Sequence, residues 1–203
     1  MRCTEWVHLL IGQVAAEGDL FIDATAGNGH DTLFLARAAG PEGRVHAFDT
    51  QLRALKETSR RLREHGLDER VCLHHHPHER MEEALPPEIR GRVAAVLFNL
   101  GYLPGSSKEV ITRPETTLAA LGTAIGWLRP GGVVTVVAYP RHDGGAEEAA
   151  AVRKWAADLN SRFFETMEFR SLNKGEATPF GIAVWRERHH LREKLIPPRH
   201  PET

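Results

Sequence analysis

The stretch that most limits what this chain can become is Leu20-Phe-Ile-Asp23, followed by Gly27 and Gly29 and then by a helical pattern from Asp31 to Ala39. The apolar run Leu20 to Ile22 reads as a buried strand. Glycine tolerates backbone angles closed to other residues, and it lets N–H groups approach a ligand with no Cβ in the way. Strand, glycine turn and helix in that order form a nucleotide-cradling unit. The plainer reading is a tight strand–helix connection with no ligand.

The rest of the chain repeats the alternation. Trp6, Leu9, Leu10, Ile11 and Val14 predict a lead-in helix over residues 5–15, ended by Gly18. A strand is expected from Arg44 to Asp49, then an amphipathic helix from Gln51 to His65 with Leu52, Leu55 and Leu62 inward, closed by Gly66. A third strand spans Val71 to His75, and a short helix from Arg80 to Leu85 is stopped by Pro86-Pro87. Val93 to Asn99 is the most apolar strand and suits the centre of a parallel sheet. Thr112-Arg-Pro-Glu115 offers an N-cap, an early proline and an acid, opening a helix to Trp127. Pro130-Gly-Gly132 is expected to turn the chain into a strand from Val133 to Tyr139. A helix near residues 146–159 and strands near 163–171 and 181–186 complete the pattern.

The spacing of acids and glycines narrows the ligand. A dinucleotide fingerprint wants a third glycine where this chain has Thr32, which argues against a nicotinamide cofactor. An acid four residues before the first glycine, here Asp23 before Gly27, is instead the first motif of S-adenosylmethionine-dependent methyltransferases. That cofactor has an ammonium and a ribose diol, and carboxylates bind both. Asp49 follows Gly29 by twenty residues, the distance at which an acid on the second strand meets ribose hydroxyls. The closely spaced strands at the end of the chain then imply an α/β, Rossmann-like class I methyltransferase fold. Its sheet would be mainly parallel and seven-stranded, flanked by helices, with a C-terminal antiparallel strand.

His74-His-His-Pro-His78 invites a metal reading, but no cysteine or acid is spaced to complete a shell, so no metal is expected. A polar loop lining the adenine pocket is the better use of His76 and His78. Asn99 ends the fourth strand near the expected methyl group, where its side-chain carbonyl can accept from an acceptor N–H. Tyr102 offers a stacking ring and a hydroxyl, in a pattern like the N/D-P-P-Y of amino-methyltransferases without its prolines. The plainer alternative is an Asn capping the strand and a Tyr packed under a loop.

Three segments occur together: D-A-T-A-G-N-G-H-D-T at Asp23 to Thr32, A-F-D-x-Q at Ala47 to Gln51, and F-N-L-G-Y-L-P-G at Phe98 to Gly105. With Thr112, Pro114, Thr116-Thr117 and Tyr139-x-x-His142 followed by Gly144-Gly145 and Glu148, they resemble the small rRNA methylase family. Its characterised members act on tRNA, converting the 5-aminomethyl group of the wobble uridine to 5-methylaminomethyl. The resemblance implies S-adenosyl-L-methionine as cofactor, tRNA (through its anticodon stem-loop) as partner, and a homodimer. It implies cofactor contacts at Asp23, Ala24, Gly27, Asn28, Gly29, Asp31, Thr32, Asp49, Gln51, His76, His78 and Asn99, and catalytic roles for Asn99, Tyr102 and His142. This chain departs from the family in having His76-Pro77-His78 for D-S-H, Arg141 for a glycine, and Gly105-Ser-Ser-Lys108 for G-G-D-K. An rRNA or small-molecule amine methyltransferase, and a non-catalytic S-adenosylmethionine-binding module, are the alternatives.

Composition matters most for that partner. Twenty-six basic against 27 acidic side chains leave a net charge of −1, so RNA would need a local patch. Two cysteines, Cys3 and Cys72, suggest no disulfide framework, and no run has signal-peptide or membrane-spanning character. A cytoplasmic chain is expected, with one methyltransferase domain over residues 1–188 and a basic, Pro-containing tail over 189–203.

Overall fold

The computed structural model describes residues 2–101, 112–141, 143–175 and 177–188. Seven strands, β1 (Leu20–Asp23), β2 (Arg44–Asp49), β3 (Val71–His75), β4 (Val93–Asn99), β5 (Leu128–Ala138), β6 (Phe164–Phe169) and β7 (Phe180–Arg186), form one sheet in the order β3-β2-β1-β4-β5-β7-β6. The first five pair in parallel, while β7 runs antiparallel to both β5 and β6. This is the expected class I methyltransferase arrangement.

Among the described residues five α-helices cover the sheet: α1 (Cys3–Val14), α2 (His30–Ala39), α3 (Leu52–Glu64), α4 (Pro114–Trp127) and α5 (Gly145–Ala157). Successive strand residues face opposite ways, so each strand feeds two cores. On one face Phe21, Val45, Leu97 and Val137 meet Val7, Ile11, Leu35 and Leu62 of the first three helices. On the other, Ile22, Phe48, Phe98 and Val136 meet Leu121, Trp127 and Val152 of the last two. From Val93 to Phe98 every residue of β4 is buried, which is why that strand lacks polar alternation. Helix α3 shows the opposite logic, burying Ala54, Leu55, Thr58 and Leu62 under an Arg- and Glu-rich outer surface.

Three local expectations are corrected. The short helix before Pro86 is a 3-10 element from His78 to Glu83, because one turn closed by prolines cannot propagate an α-helix. Helix α4 has Arg113, not Thr112, at its N-cap; the Thr112 hydroxyl is occupied elsewhere, and Pro114 starts the helix. Strand β5 begins at Leu128 and takes in Pro130-Gly-Gly132, since the ladder with β4 slips from Val93↔Leu128 to Ala95↔Val133. The extra residues form an irregularity in which Gly131 has φ +78, and a Cβ on Gly132 would meet the Val93 carbonyl at 2.9 Å.

Candidate active site

The strand order reverses between β1 and β4: the chain leaves β3 at one edge and re-enters on the far side of β1. In such sheets ligands sit beyond the carboxyl ends of the strands at that point. Asp23, Asp49 and Asn99 are the last residues of β1, β2 and β4. Alternation also gives them a common face. Asp23 lies two residues beyond Phe21, Asp49 beyond Ala47 and Asn99 beyond Leu97, and the register pairs Asp23 with both Ala47 and Leu97. That face is the one covered by α1, α2 and α3.

The turn between β1 and α2 is tied down from three sides. The Ala24 N–H donates to the Leu97 carbonyl, Ala26 N–H to the Phe48 carbonyl, and Gly29 N–H to the Ala26 carbonyl. From α3, the Thr58 hydroxyl donates to the Gly27 carbonyl at 2.9 Å and Arg61 Nε to the Asn28 carbonyl at 2.8 Å. Gly29 has φ +78 and an added Cβ would lie 2.8 Å from the Thr58 Cα, so the turn and α3 fit closely only with glycine there.

Asp23 is fully buried. Its carboxyl accepts from the Thr32 hydroxyl at 2.6 Å and the Thr25 N–H at 3.1 Å. Burial, with Asp31 next in effect, pushes its pKa up to about 7. Asp49 is half-buried and holds the loop ends, accepting from Gly27 N–H at 2.9 Å and Gln51 N–H at 2.7 Å. Each of its oxygens keeps a lone pair for a further donor. Asn99 receives the Thr25 hydroxyl's company at its backbone, where its N–H donates to Oγ1 at 2.7 Å, and its Nδ2 donates to Asp31 Oδ2 at 3.1 Å.

The histidine loop is placed differently. His76 is half-buried after β3, its N–H donating to the Asp49 carbonyl. His78 is buried with its ring edge-on to Phe98, 5.8 Å between centroids, and its Nε2 has no hydrogen-bond partner. Burial lowers its pKa, which the Glu79 carboxylate opposes. His74 stacks on Phe48 and meets His46 Nδ1 at 3.0 Å. Among the described residues no three His, Cys, Asp or Glu side chains gather as a metal shell.

Tyr102 and His142 lie outside the described residues. The base of the segment carrying Tyr102 is nevertheless described. Gly101 and Thr112 exchange hydrogen bonds, and the Thr112 hydroxyl donates to the buried Glu148, whose other oxygen accepts from Thr117 at 2.6 Å. Sequence reading did not single out His8, which reaches Asp31 Oδ1 at 2.7 Å, nor Thr25, Thr58 and Arg61. Tyr139, expected to end the fifth strand and part of the family match, follows directly after β5. Burial and Asp31 both raise its pKa, which puts its phenol in the same neighbourhood.

Comparison with known proteins agrees with this geometry. The family model described as "Putative rRNA methylase" matches residues 45–185. The tRNA (mnm(5)s(2)U34)-methyltransferase of Arabidopsis thaliana chloroplasts is 39% identical over 181 residues, 85% of this chain. The chain spans 65% of that relative's length. A Clostridium thermocellum structure under the same rRNA-methylase description superposes with a TM-score of 0.87 at 35% identity, covering 92% of this chain and 98% of its own. A Streptococcus mutans protein described as a methyltransferase and solved in complex with SAH gives a TM-score of 0.80 at 32% identity, with the same coverages of 92% and 98%.

Proposed function

The chain belongs to the rRNA methylase family and has the class I methyltransferase fold, and from that premise we propose that it is an S-adenosylmethionine-dependent N-methyltransferase acting on tRNA. The group methylated is the 5-aminomethyl substituent of the wobble (2-thio)uridine, presented by the anticodon stem-loop, and the product is 5-methylaminomethyl. The plant relative, named for that wobble position, supports this choice of substrate. The reading includes a homodimer and a cytoplasmic setting. No helix among the described residues is long and apolar enough to cross a membrane.

The residues present suit the cofactor. Asp49 retains lone pairs for ribose hydroxyls beyond its two backbone bonds. Asp23 is a buried acid that a neighbouring ammonium would ionise, and Asp31 and Thr32 stand beside it. Ala24, Gly27, Asn28 and Gly29 lend backbone to the cradle, and Gln51, His76 and His78 border the adenine side, where His78 Nε2 is a buried nitrogen with no hydrogen bond, 3.8 Å from the Glu79 carboxylate. When bound, S-adenosylmethionine supplies an electrophilic methyl group.

One observation carries the amine reading. The Asn99 amide turns its Nδ2 to Asp31, which leaves Oδ1 as an acceptor at the end of β4. An amine N–H held by that oxygen has its lone pair directed and its nitrogen confined, and alignment of reacting atoms within about 3–3.5 Å is a large part of such catalysis. Tyr102 and His142 are proposed to complete the acceptor side. The test is nucleoside mass spectrometry of tRNA bearing 5-aminomethyluridine after incubation with enzyme and cofactor. Conversion to the methylaminomethyl nucleoside is expected. Transfer to ribosomal RNA alone would establish a second reading, which the family's description favours. Cofactor binding with no transfer to either RNA would indicate a non-catalytic module.

A further inference from the structure

We infer that His8 is a positioning residue for methyl transfer: acting through Asp31, it holds the Asn99 amide with its carbonyl oxygen turned to the acceptor nitrogen. The inference rests on the methyl-transfer reading above.

Helix α1 buries Val7 and Ile11 in the core, and this docking sets His8 at the edge of the site. Its ring lies flat on Phe34 of α2, 3.9 Å between centroids and 6° from parallel. With its face stacked, the imidazole can act only through its edge, and Nε2 lies 2.7 Å from Asp31 Oδ1. A carboxylate only accepts hydrogen bonds, so His8 donates, and that contact fixes which ring nitrogen carries the proton. The second Asp31 oxygen accepts from Asn99 Nδ2 at 3.1 Å. The same rule orients the amide, because only its NH2 end can face a carboxylate. Oδ1 is therefore turned away from Asp31, and among the described residues nothing donates to it. Thr25 Oγ1, accepting from the Asn99 N–H at 2.7 Å, holds the backbone from which the amide projects.

His8 matters because Asp31 has reason to move. It lies close enough to Asp23 to raise that acid's pKa, so a cationic ligand bound to Asp23 would also attract the Asp31 carboxylate. One oxygen fixed by a stacked, inflexible donor resists that rotation and keeps the other oxygen on Asn99. Three elements thus converge on one amide: α1 through His8, α2 through Asp31 and β4 through Asn99 itself.

Two substitutions separate positioning from packing. His8→Phe keeps the ring on Phe34 and removes the donor, whereas His8→Gln keeps an N–H donor of similar reach and gives up the stack. With tRNA substrate, His8→Phe should lower kcat between about tenfold and about 100-fold. The KM for S-adenosylmethionine should stay within about twofold, and His8→Gln should recover most of kcat. A purely structural His8 gives the reverse order, with His8→Phe active and His8→Gln impaired, and that order overturns the inference. A second readout needs no turnover. The Asn99 side-chain N–H2 signals, assigned by their loss in Asn99→Ala, should shift toward free-amide positions in His8→Phe and remain near wild type in His8→Gln. Unmoved signals in His8→Phe overturn the coupling whatever the substrate. If the signals move but the wild-type enzyme transfers methyl to no RNA or amine, it is the methyl-transfer reading that fails, and His8 loses its assigned reaction with it.

Discussion

Asp23 and Asp49 end neighbouring strands on the same face, yet their surroundings give them different chemistry. Asp49 is half-buried and its hydrogen-bond partners are backbone amides, so it remains open to further donors. Replacing it in Asp49→Ala should cost about 1.5–3 kcal/mol of cofactor binding for each charge-assisted bond lost. Calorimetry with S-adenosylhomocysteine measures this, and unchanged affinity in a folded variant would put the ribose elsewhere. Asp23 instead holds a proton in the free protein up to about pH 7. A cationic ligand beside it favours the carboxylate, so binding below that pH should expel a proton, and affinity should climb as pH rises toward 7 and then level. Titrations at pH 6.5 in two buffers of different ionisation enthalpy should report proton release that Asp23→Asn abolishes; release of the same size in the variant would assign the proton to another group. These acids and Asn99 were legible in the sequence because strand ends and motif spacing put them together. His8 and Thr25 were not, since their bonds to Asp31 and Asn99 cross 23 and 74 residues of chain and follow no local period.

Elements were legible where a single physical cause sets them. All five parallel strands were expected from apolar runs, and four of them keep the expected start. The fifth was misjudged because Pro130-Gly-Gly132 has the composition of a turn, while the ladder to β4 simply absorbs it as an irregularity. Thr112 was expected at a helix cap because threonine caps helices often; burial of Glu148 claims its hydroxyl instead. The histidines of β2 and β3 carry an element-scale prediction. Burial first, and the charge of His74 second, lower the pKa of His46 from 6.5 to about 4. The fold therefore favours neutral His46, so this contribution is fully present above pH 6.5 and is lost as pH falls from there toward 4. Asp23 acts oppositely, since its raised pKa makes its contribution present near pH 4 and lost as pH rises to about 7. Against this background His46→Gln should stand further below wild type in denaturant stability at pH 7.5 than at pH 5. A gap that stays constant between the two would mean that His46 does not titrate between fold and unfolded chain in this range.

At the scale of the whole molecule, the reversal of strand order between β1 and β4 is what joins the two halves of the site. The acids proposed to hold the cofactor come from β1 and β2, whereas the acceptor side proposed here is built on β4 and helix α1, which packs on the face that β4 and β5 share with β1. Helix α1 precedes all the strands, yet Val7 and Ile11 share a core with Leu97, Val133 and Ala183, residues from β4, β5 and β7. Disturbing one half should therefore be felt by the other, and a ligand bound in the crevice should stabilise the sheet as a unit. S-adenosylhomocysteine at about 100 times its Kd would add about 2.7 kcal/mol. For a chain of this length that corresponds to a Tm rise of about 5–10 °C. Scanning calorimetry should show that rise in one transition, while NAD at equal concentration leaves Tm unchanged because Thr32 stands where the dinucleotide turn requires a glycine. A rise with NAD would reverse the cofactor assignment. Two transitions, only one of them moving with ligand, would mean that the first three strands and the last four unfold separately and that α1 does not bind them into one body.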